Sequence, residues 1–309
     1  MQWHASVRAK NMNFFRIAGQ VLVATLSIAT AAHGGWSWTT LNYPGETYIY
    51  PAGVSGNTVA GNYNDATGKH VFVYDGITWT TLDCPYPDAE VIDIDGSNLV
   101  GYHTDNLVDV VHGYLHSDGT WTTLDYPEAG TVLTYPTGIS GERIVGLYTG
   151  PGEGSFVYDG TTWTTLSHPA GYRVTANGID GDRIVGTYTG VEGWERGFLY
   201  DGTTWTTLDY PGTAAGSFTP IGVSGNVIVG YYMDDTGEHS CLYDGMTWTA
   251  LNYPGALDTM VNGVSGNSIV GLYSDASGDH AYLLTIPEPA TLSLLAMGSL
   301  VLVRRARQR

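Results

Sequence analysis

Residues 162–203 read TWTTLSHPAGYRVTANGIDGDRIVGTYTGVEGWERGFLYDGT. The tetrapeptide Trp-Thr-Thr-Leu near the start of this stretch, at Trp163, also begins at Trp38, Trp79, Trp121 and Trp205, and a variant, Trp-Thr-Ala-Leu, begins at Trp248. The spacings are 41, 42, 42, 42 and 43 residues. Regularity of this kind marks a repeat architecture and takes precedence over any local reading. Each unit holds four short stretches of strand character. The first is Trp-Thr-Thr-Leu, which alternates large apolar residues with Thr and stops at a proline such as Pro127, Pro169 or Pro211. The second ends in Gly-Ile/Val-Ser/Asp-Gly, as at residues 138–141; the third is Ile-Val-Gly-x-Tyr, as at residues 144–148. The fourth ends in Tyr-Asp-Gly, as at residues 156–160, and its Asp-Gly predicts a type I′ hairpin into the next Trp strand. No stretch has a helical period.

Four strands in about 42 residues is the size of a propeller blade. The body opens on the Trp38 strand and closes on a fourth-type strand, residues 280–285, with no Trp strand after it. Cut after each Trp strand, it gives five complete units and a sixth lacking its outer strand, which the Trp38 strand can supply. The expected fold is therefore all-β: a six-bladed β-propeller of four-stranded units over residues 33–286, closed by the N-terminal Trp38 strand, which leaves no exposed edge. An open β-solenoid of stacked units is the other arrangement such repeats allow.

The chain has 309 residues with 12 Lys and Arg against 30 Asp and Glu. The imbalance is concentrated in the body. Three bases lie near the start and four at the end, so five bases face all 30 acids between residues 46 and 288, a net of 5 − 30 = −25. Such a body repels phosphate backbones and argues against a nucleic-acid partner. The 22 Tyr and the β-branched residues can fill a core, which separates it from a disordered acidic tail. Cys84 and Cys241 each replace an aromatic of the repeat, in the first and fifth units, and are read as isolated apolar residues that do not meet.

The two ends differ from the body. Residues 1–32 read as a signal peptide: Arg8, Lys10 and Arg16, an apolar stretch over residues 17–31, and Ala29-Thr30-Ala31 as a small-residue cleavage site. At the other end Pro287-Glu288-Pro289 interrupts regular structure. Residues 290–303 carry no charge and as a helix would reach about 21 Å, short of a ~30 Å hydrocarbon core. Arg304, Arg305 and Arg307 would hold that end in the cytoplasm, so the helix would be a marginal transmembrane anchor giving transient membrane association.

The order Pro-Glu-Pro, short apolar helix, Arg cluster over residues 287–309 resembles the PEP-CTERM sorting signal of Gram-negative bacteria. The resemblance implies an exosortase substrate: an exosortase-type enzyme cuts near the motif, and the protein goes to the cell surface, usually in species that make exopolysaccharide or biofilm matrix. The body in turn resembles the extracellular HAF repeat proteins, whose units run Gly-x-Tyr-x-Asp-x-x-Gly-x-x-His-Gly-Phe. Residues 63–70, 232–239 and 273–280 fit, while Gly154 and Arg196 stand where that pattern has His. That likeness brings no chemistry with it.

Candidate sites are few. The repeat Trp residues are expected between blades, and His70, His112, His239 and His280 at strand ends. The loops at Asp65, Asp234, Asp235 and Asp275 combine carboxylates with small polar residues, which suits calcium, although Asp-x-x-Gly is also a common turn. The second unit departs most. His103, His112 and two aspartates suggest zinc, yet His112 and His116 would lie about 13 Å apart on one strand. Trp194 lies in a loop outside the repeat pattern and is the candidate ligand contact. No Gly-x-Ser-x-Gly, phosphate loop or Cys-x-x-Cys is present in the sequence. The expectation is an exported, extracellular or surface-bound, non-enzymatic protein without a cofactor that binds polysaccharide or an envelope protein. The alternative is a secreted carbohydrate-active hydrolase or lyase on the same scaffold, which would need two carboxylates about 5–10 Å apart.

Overall fold

The computed structural model describes residues 28–29, 35–45, 48–105, 108–213 and 216–287. These residues form strands and no helix. β1 (Ile28–Ala29) and β2 (Ser37–Leu41) precede the first full unit. That unit contains β3 (Ile49–Ser55), β4 (Thr58–Asp65), β5 (Gly68–Tyr74) and β6 (Trp79–Leu82). The second has β7 (Glu90–Asp95), β8 (Asn98–Asp105), β9 (Val110–Ser117) and β10 (Thr120–Leu124). The third has β11 (Leu133–Ser140), β12 (Arg143–Thr149), β13 (Glu153–Tyr158) and β14 (Trp163–Leu166). The fourth has β15 (Gly171–Asp180), β16 (Arg183–Gly190), β17 (Glu195–Tyr200) and β18 (Trp205–Leu208). The fifth has β19 (Phe218–Ser224), β20 (Val227–Asp234), β21 (Gly237–Tyr243) and β22 (Trp248–Ala250). Last come β23 (Asp258–Ser265), β24 (Ser268–Asp275) and β25 (Gly278–Thr285).

Every unit is an antiparallel meander. Three make separate four-stranded sheets, and the second and third join through one parallel bridge, Leu133 opposite Val111. The last three strands lack an outer partner in sequence and take it from the start of the body. There β2 pairs with β25, with Trp38 opposite Leu284, and β1 pairs with the far edge of β2. The first strands of the units neighbour one another in the order β3, β7, β11, β15, β19, β23 and back to β3. That return distinguishes a closed propeller from an open solenoid, whose first and last units never meet.

The apolar pair of each second strand, Ile-Val in the last four units, Val59-Ala60 in the first and Leu99-Val100 in the second, explains the stacking. Successive side chains on a strand point to opposite faces, so the pair serves two layers at once. Val145 packs with Ile184, Val185 with Ile228, Val229 with Ile269, and Val270 with Val59 of the first unit. Each is essentially solvent-free. Burying one such side chain contributes about 1.5–3 kcal/mol, so the layers together dominate the stability.

A belt of hydrogen bonds closes the inner end of the sheets. The glycine after each Ser/Asp donates its N–H to the Ser/Asp of the preceding unit: Gly96 to Ser55, Gly141 to Asp95, Gly181 to Ser140, Gly225 to Asp180, Gly266 to Ser224 and Gly56 to Ser265. The last of these crosses the seam between the two ends of the body.

Three local expectations need correction. The turn into the Trp strand is not type I′ in most units. Asp75 Oδ1 accepts the N–H groups of Ile77 and Thr78, and only Gly76 has positive φ; the same geometry recurs at Asp159, Asp201 and Asp244. The carboxylate caps the turn, so one left-handed residue suffices. Only Asp118-Gly119, with φ of 50° and 74°, makes the two-residue left-handed turn. Second, Trp79, Trp163, Trp205 and Trp248 do pack against clusters that join neighbouring units, but among the repeat Trp residues only Trp38 is fully buried; the others stay partly exposed. Third, Cys84 takes the place of the linker aromatic, but Tyr86, two residues on, fills its role. Tyr86 stacks on His103 with centroids 4.2 Å apart, as Tyr126 stacks on Tyr148 and Tyr253 on Tyr273. Cys84 and Cys241 are both free.

The signal-peptide residues other than Ile28 and Ala29, and the tail from Glu288 onward with residues 290–303 and the arginines, lie outside the described residues. Among the described residues no helix is long and apolar enough to cross a membrane.

Candidate functional site at the central cavity

The first strands of the units enclose a cavity of about 340 Å³ on the ring axis. Each of these strands carries a bulge at the corresponding position, for example between Pro51 and Gly53 and between Pro220 and Gly222. The bulge turns the following position toward the neighbouring first strand. Five units place glycine there: Gly53, Gly138, Gly178, Gly222 and Gly263. A Cβ at Gly178 would lie 2.8 Å from the Ile221 carbonyl oxygen, so the neck is closed by backbone against backbone.

The second unit has Asp93 at this position. Its carboxylate reaches the backbone of the next first strand, where glycine elsewhere lets backbone meet backbone directly. Oδ2 accepts the N–H of Ile139 at 3.0 Å, and Oδ1 accepts that of Ile94 at 2.8 Å. Asp93 is half-buried and lines the cavity. Burial pushes its carboxyl up to about 7, the two amides resist the shift, and the Asp95 charge adds to it.

Toward the mouth the wall becomes aromatic. Tyr102 and Tyr135 stand with centroids 4.7 Å apart, and Tyr50 and Tyr135 line the cavity. Burial, followed by the Glu90 charge, raises the hydroxyl pKa of Tyr50, Tyr102 and Tyr135, so these groups remain neutral donors. Glu90 is ion-paired with Lys69. Across the mouth, burial and the charge of Asp258 raise the Glu238 carboxyl, and Tyr231 and Met260 line the same side. The charged residues of the lining are Asp93, Asp95, Asp180 and Glu238; no Lys, Arg or His belongs to it.

The residues singled out from sequence lie elsewhere. Trp194 is 67% exposed at the tip of the loop between β16 and β17, where its carbonyl accepts the Gly190 N–H, and it does not line the cavity. Asp65 is engaged in its own turn: its Oδ1 accepts the N–H and hydroxyl of Thr67 and lies 2.9 Å from His70 Nε2. Burial raises its carboxyl, but these donors outweigh burial and hold it at about 2. Asp234 with Thr236 and His239, and Asp275 with Ser277 and His280, repeat the arrangement. Asp235 is exposed beside Asp234. Hydroxyl and carboxylate meet the same imidazole nitrogen, so these are capped turns and not the relay of a nucleophilic triad, where the two partners occupy opposite ring nitrogens.

In the second unit His103 stacks between Tyr86 and His112, and His112 Nδ1 is 2.8 Å from Asp125 Oδ1. Burial and then His112 lower the His103 pKa. Among the described residues no three His, Cys, Asp or Glu side chains are placed to hold a metal ion. Of the Pro-Glu-Pro motif only Pro287 is described.

Sequence reasoning missed Asp93, Glu90 and the mouth tyrosines. A signal for Asp93 was present: residues 93–96 read Asp-Ile-Asp-Gly where the other units read Gly-Ile/Val-Ser/Asp-Gly.

The PEP-CTERM protein-sorting motif matches residues 285–308. The chain carries an exosortase sorting signal. The motif marks it for export and for surface or extracellular delivery in a Gram-negative bacterium, with processing by an exosortase. No curated protein sequence matches the chain. Similar solved structures include a lectin of Aleuria aurantia in complex with alpha-methyl-L-fucoside, 12% identical, covering 76% of this chain and 90% of its own, with a TM-score of 0.47. TolB of Acinetobacter baumannii is 13% identical over 75% of this chain and 64% of its own, at 0.49. Trypanosoma rangeli sialidase is 11% identical over 84% and 57%, at 0.43.

Proposed function

We propose that the protein is a six-bladed propeller of HAF-type units that acts outside the cell as a non-enzymatic binding module for polysaccharide, in the matrix or at the envelope. The β2–β25 pairing and the belt of six inter-unit hydrogen bonds support the blade count. The observation that carries the binding reading is the mouth of the cavity. Tyrosine rings beside hydroxyl and carboxylate groups match a sugar, which offers C–H faces to rings and hydroxyls to acceptors. The charge of the body, −25, selects against anionic polymers and for neutral or amino-bearing ones. Trp194 provides a second aromatic contact on the same face as the linkers.

Asp93 favours a second reading, a glycoside hydrolase, because a carboxyl held near neutrality suits a general acid. Against it, both Asp93 oxygens are held by backbone amides, and Asp95 is committed to Gly141. The test is titration of the full-length chain with neutral, amino and acidic polysaccharides, followed by assay for new reducing ends. Saturable binding of a neutral or amino polymer without cleavage is expected. New reducing ends would establish the hydrolase, and no binding would overturn both readings.

A further inference from the structure

The cavity has a chemical bias that the repeat does not require. Four carboxylates line it and no base does. Lys69, at the mouth, is tied to Glu90. Two of the acids, Asp95 and Asp180, belong to the belt and are fixed by the N–H groups of Gly141 and Gly225. Asp93 is different. A glycine serves at its position in every other unit, so the fold does not need a carboxylate there, and placing one half-buried in the wall of a narrow cavity costs free energy unless a partner offsets it. Two backbone N–H groups are a partial offset, and the carboxyl still holds its proton up to about pH 7.

A cation would complete the offset. The acids are not gathered closely enough to ligate a metal ion. The uncharged wall includes the rings of Tyr50, Tyr135 and Tyr231 and the thioether of Met260 among aliphatic, hydroxyl and amide side chains. Rings and dispersed carboxylates suit an ammonium on a carbon scaffold, which gains cation–π attraction along with charge-assisted hydrogen bonds. At about 340 Å³ the cavity sits at the small end of ligand pockets and suits a chain end rather than a passing strand.

We propose that the central cavity is a site for the primary ammonium of an unacetylated 2-amino sugar, with the Asp93 carboxylate as its counter-ion. The choice of a sugar scaffold rests on the polysaccharide reading; the choice of a cation does not. Asp95, Asp180 and Glu238 also face the cavity, so the field there favours a cation before Asp93 ionises, and binding then expels the Asp93 proton. Affinity for the amine therefore rises as pH climbs toward about 7.

The experiment is calorimetric titration of the full-length chain with glucosamine, N-acetylglucosamine, glucose and 1,4-diaminobutane, on the natural chain and on Asp93→Asn and Asp93→Gly. The glycine variant restores the residue of the other five units and so keeps the fold. Glucosamine is expected to bind saturably. Acetylation or loss of the amine weakens binding about ten-fold or more, the worth of a charge-assisted hydrogen bond, and both variants lose a similar factor. Equal binding of glucosamine and N-acetylglucosamine, unchanged affinity in Asp93→Gly, or no binding of glucosamine overturns the proposal. Tight binding of 1,4-diaminobutane at the level of glucosamine would overturn the sugar part and uphold the ammonium part. Polysaccharide binding with no preference for amines would sink this site alone. Glucosamine binding with no polysaccharide binding would sink the broader reading instead.

Discussion

The second and fourth units share one plan and differ at the axis. In the fourth, Gly178 lets the first strand lie directly against the backbone of Ile221 and Gly222. In the second, Asp93 holds a carboxylate there, Glu90 stands at the mouth, and His103 replaces the repeat tyrosine. The fourth unit shows what the ring requires to close. The second shows what has been added where closure did not demand it: Asp93 puts a carboxylate into the cavity, while His103 stacks away from it between Tyr86 and His112.

The contrast can be broken most forcefully at the seam. Trp38 is 2% exposed and packs edge-on against Tyr253 and Tyr282. Trp38→Ala should destabilise the protein by about 3–5 kcal/mol in denaturant titration, because it empties a core site and loosens the closing strand. Trp163→Ala, at a partly exposed edge, should cost about 1–3 kcal/mol. Equal losses would mean that the seam is no different from any other sheet edge.

The neck gives the next largest effect. Gly178→Ala forces a Cβ to within 2.8 Å of the Ile221 carbonyl and should cost about 1–3 kcal/mol in thermal unfolding. At Asp93 the exchange runs the other way. The folded chain holds that proton more tightly than the unfolded chain, whose carboxyl titrates near 3.8. Stability from this group is therefore greatest below pH 3.8, falls as pH rises to about 7, and is level above it. Asp93→Gly should remove that fall from a plot of unfolding free energy against pH. An unchanged slope would show that the wall of the cavity does not shield Asp93 from water.

Smaller effects sharpen the picture. Ser140→Ala leaves the Gly181 N–H without its belt partner and should cost about 1 kcal/mol. Trp194→Ala should leave stability within about 0.5 kcal/mol while weakening the proposed glycan binding about five-fold, ~1 kcal/mol.

Much of the ring was legible in the sequence because a repeat states its strands several times over. The Ile-Val pairs, the Asp-Gly turns and the unpartnered Trp38 strand were all visible, and the structure pairs β2 with β25. The site was not. Asp93 matters through Ile139, 46 residues away, and through the glycines of the other first strands, relations that exist only once the ring has closed. Trp194 stood out because it broke the pattern by type. Asp93 broke it less visibly, by putting a side chain where the other units have none. The stacking of Tyr86 on His103 was hidden for a related reason: the linker slips by two residues, and only packing shows which ring fills the place that Cys84 leaves.

The most direct measurement is oxidative footprinting of methionines in the full-length chain with and without the neutral or amino polysaccharide that the proposed function assigns to it. Met260 lines the cavity and is 44% exposed; Met246, 84% exposed, sits on a turn at the opposite end of the sheets. The account predicts that ligand slows oxidation of Met260 and leaves Met246 unchanged. Protection of Met246 with Met260 unaffected would place binding on the other face and contradict it.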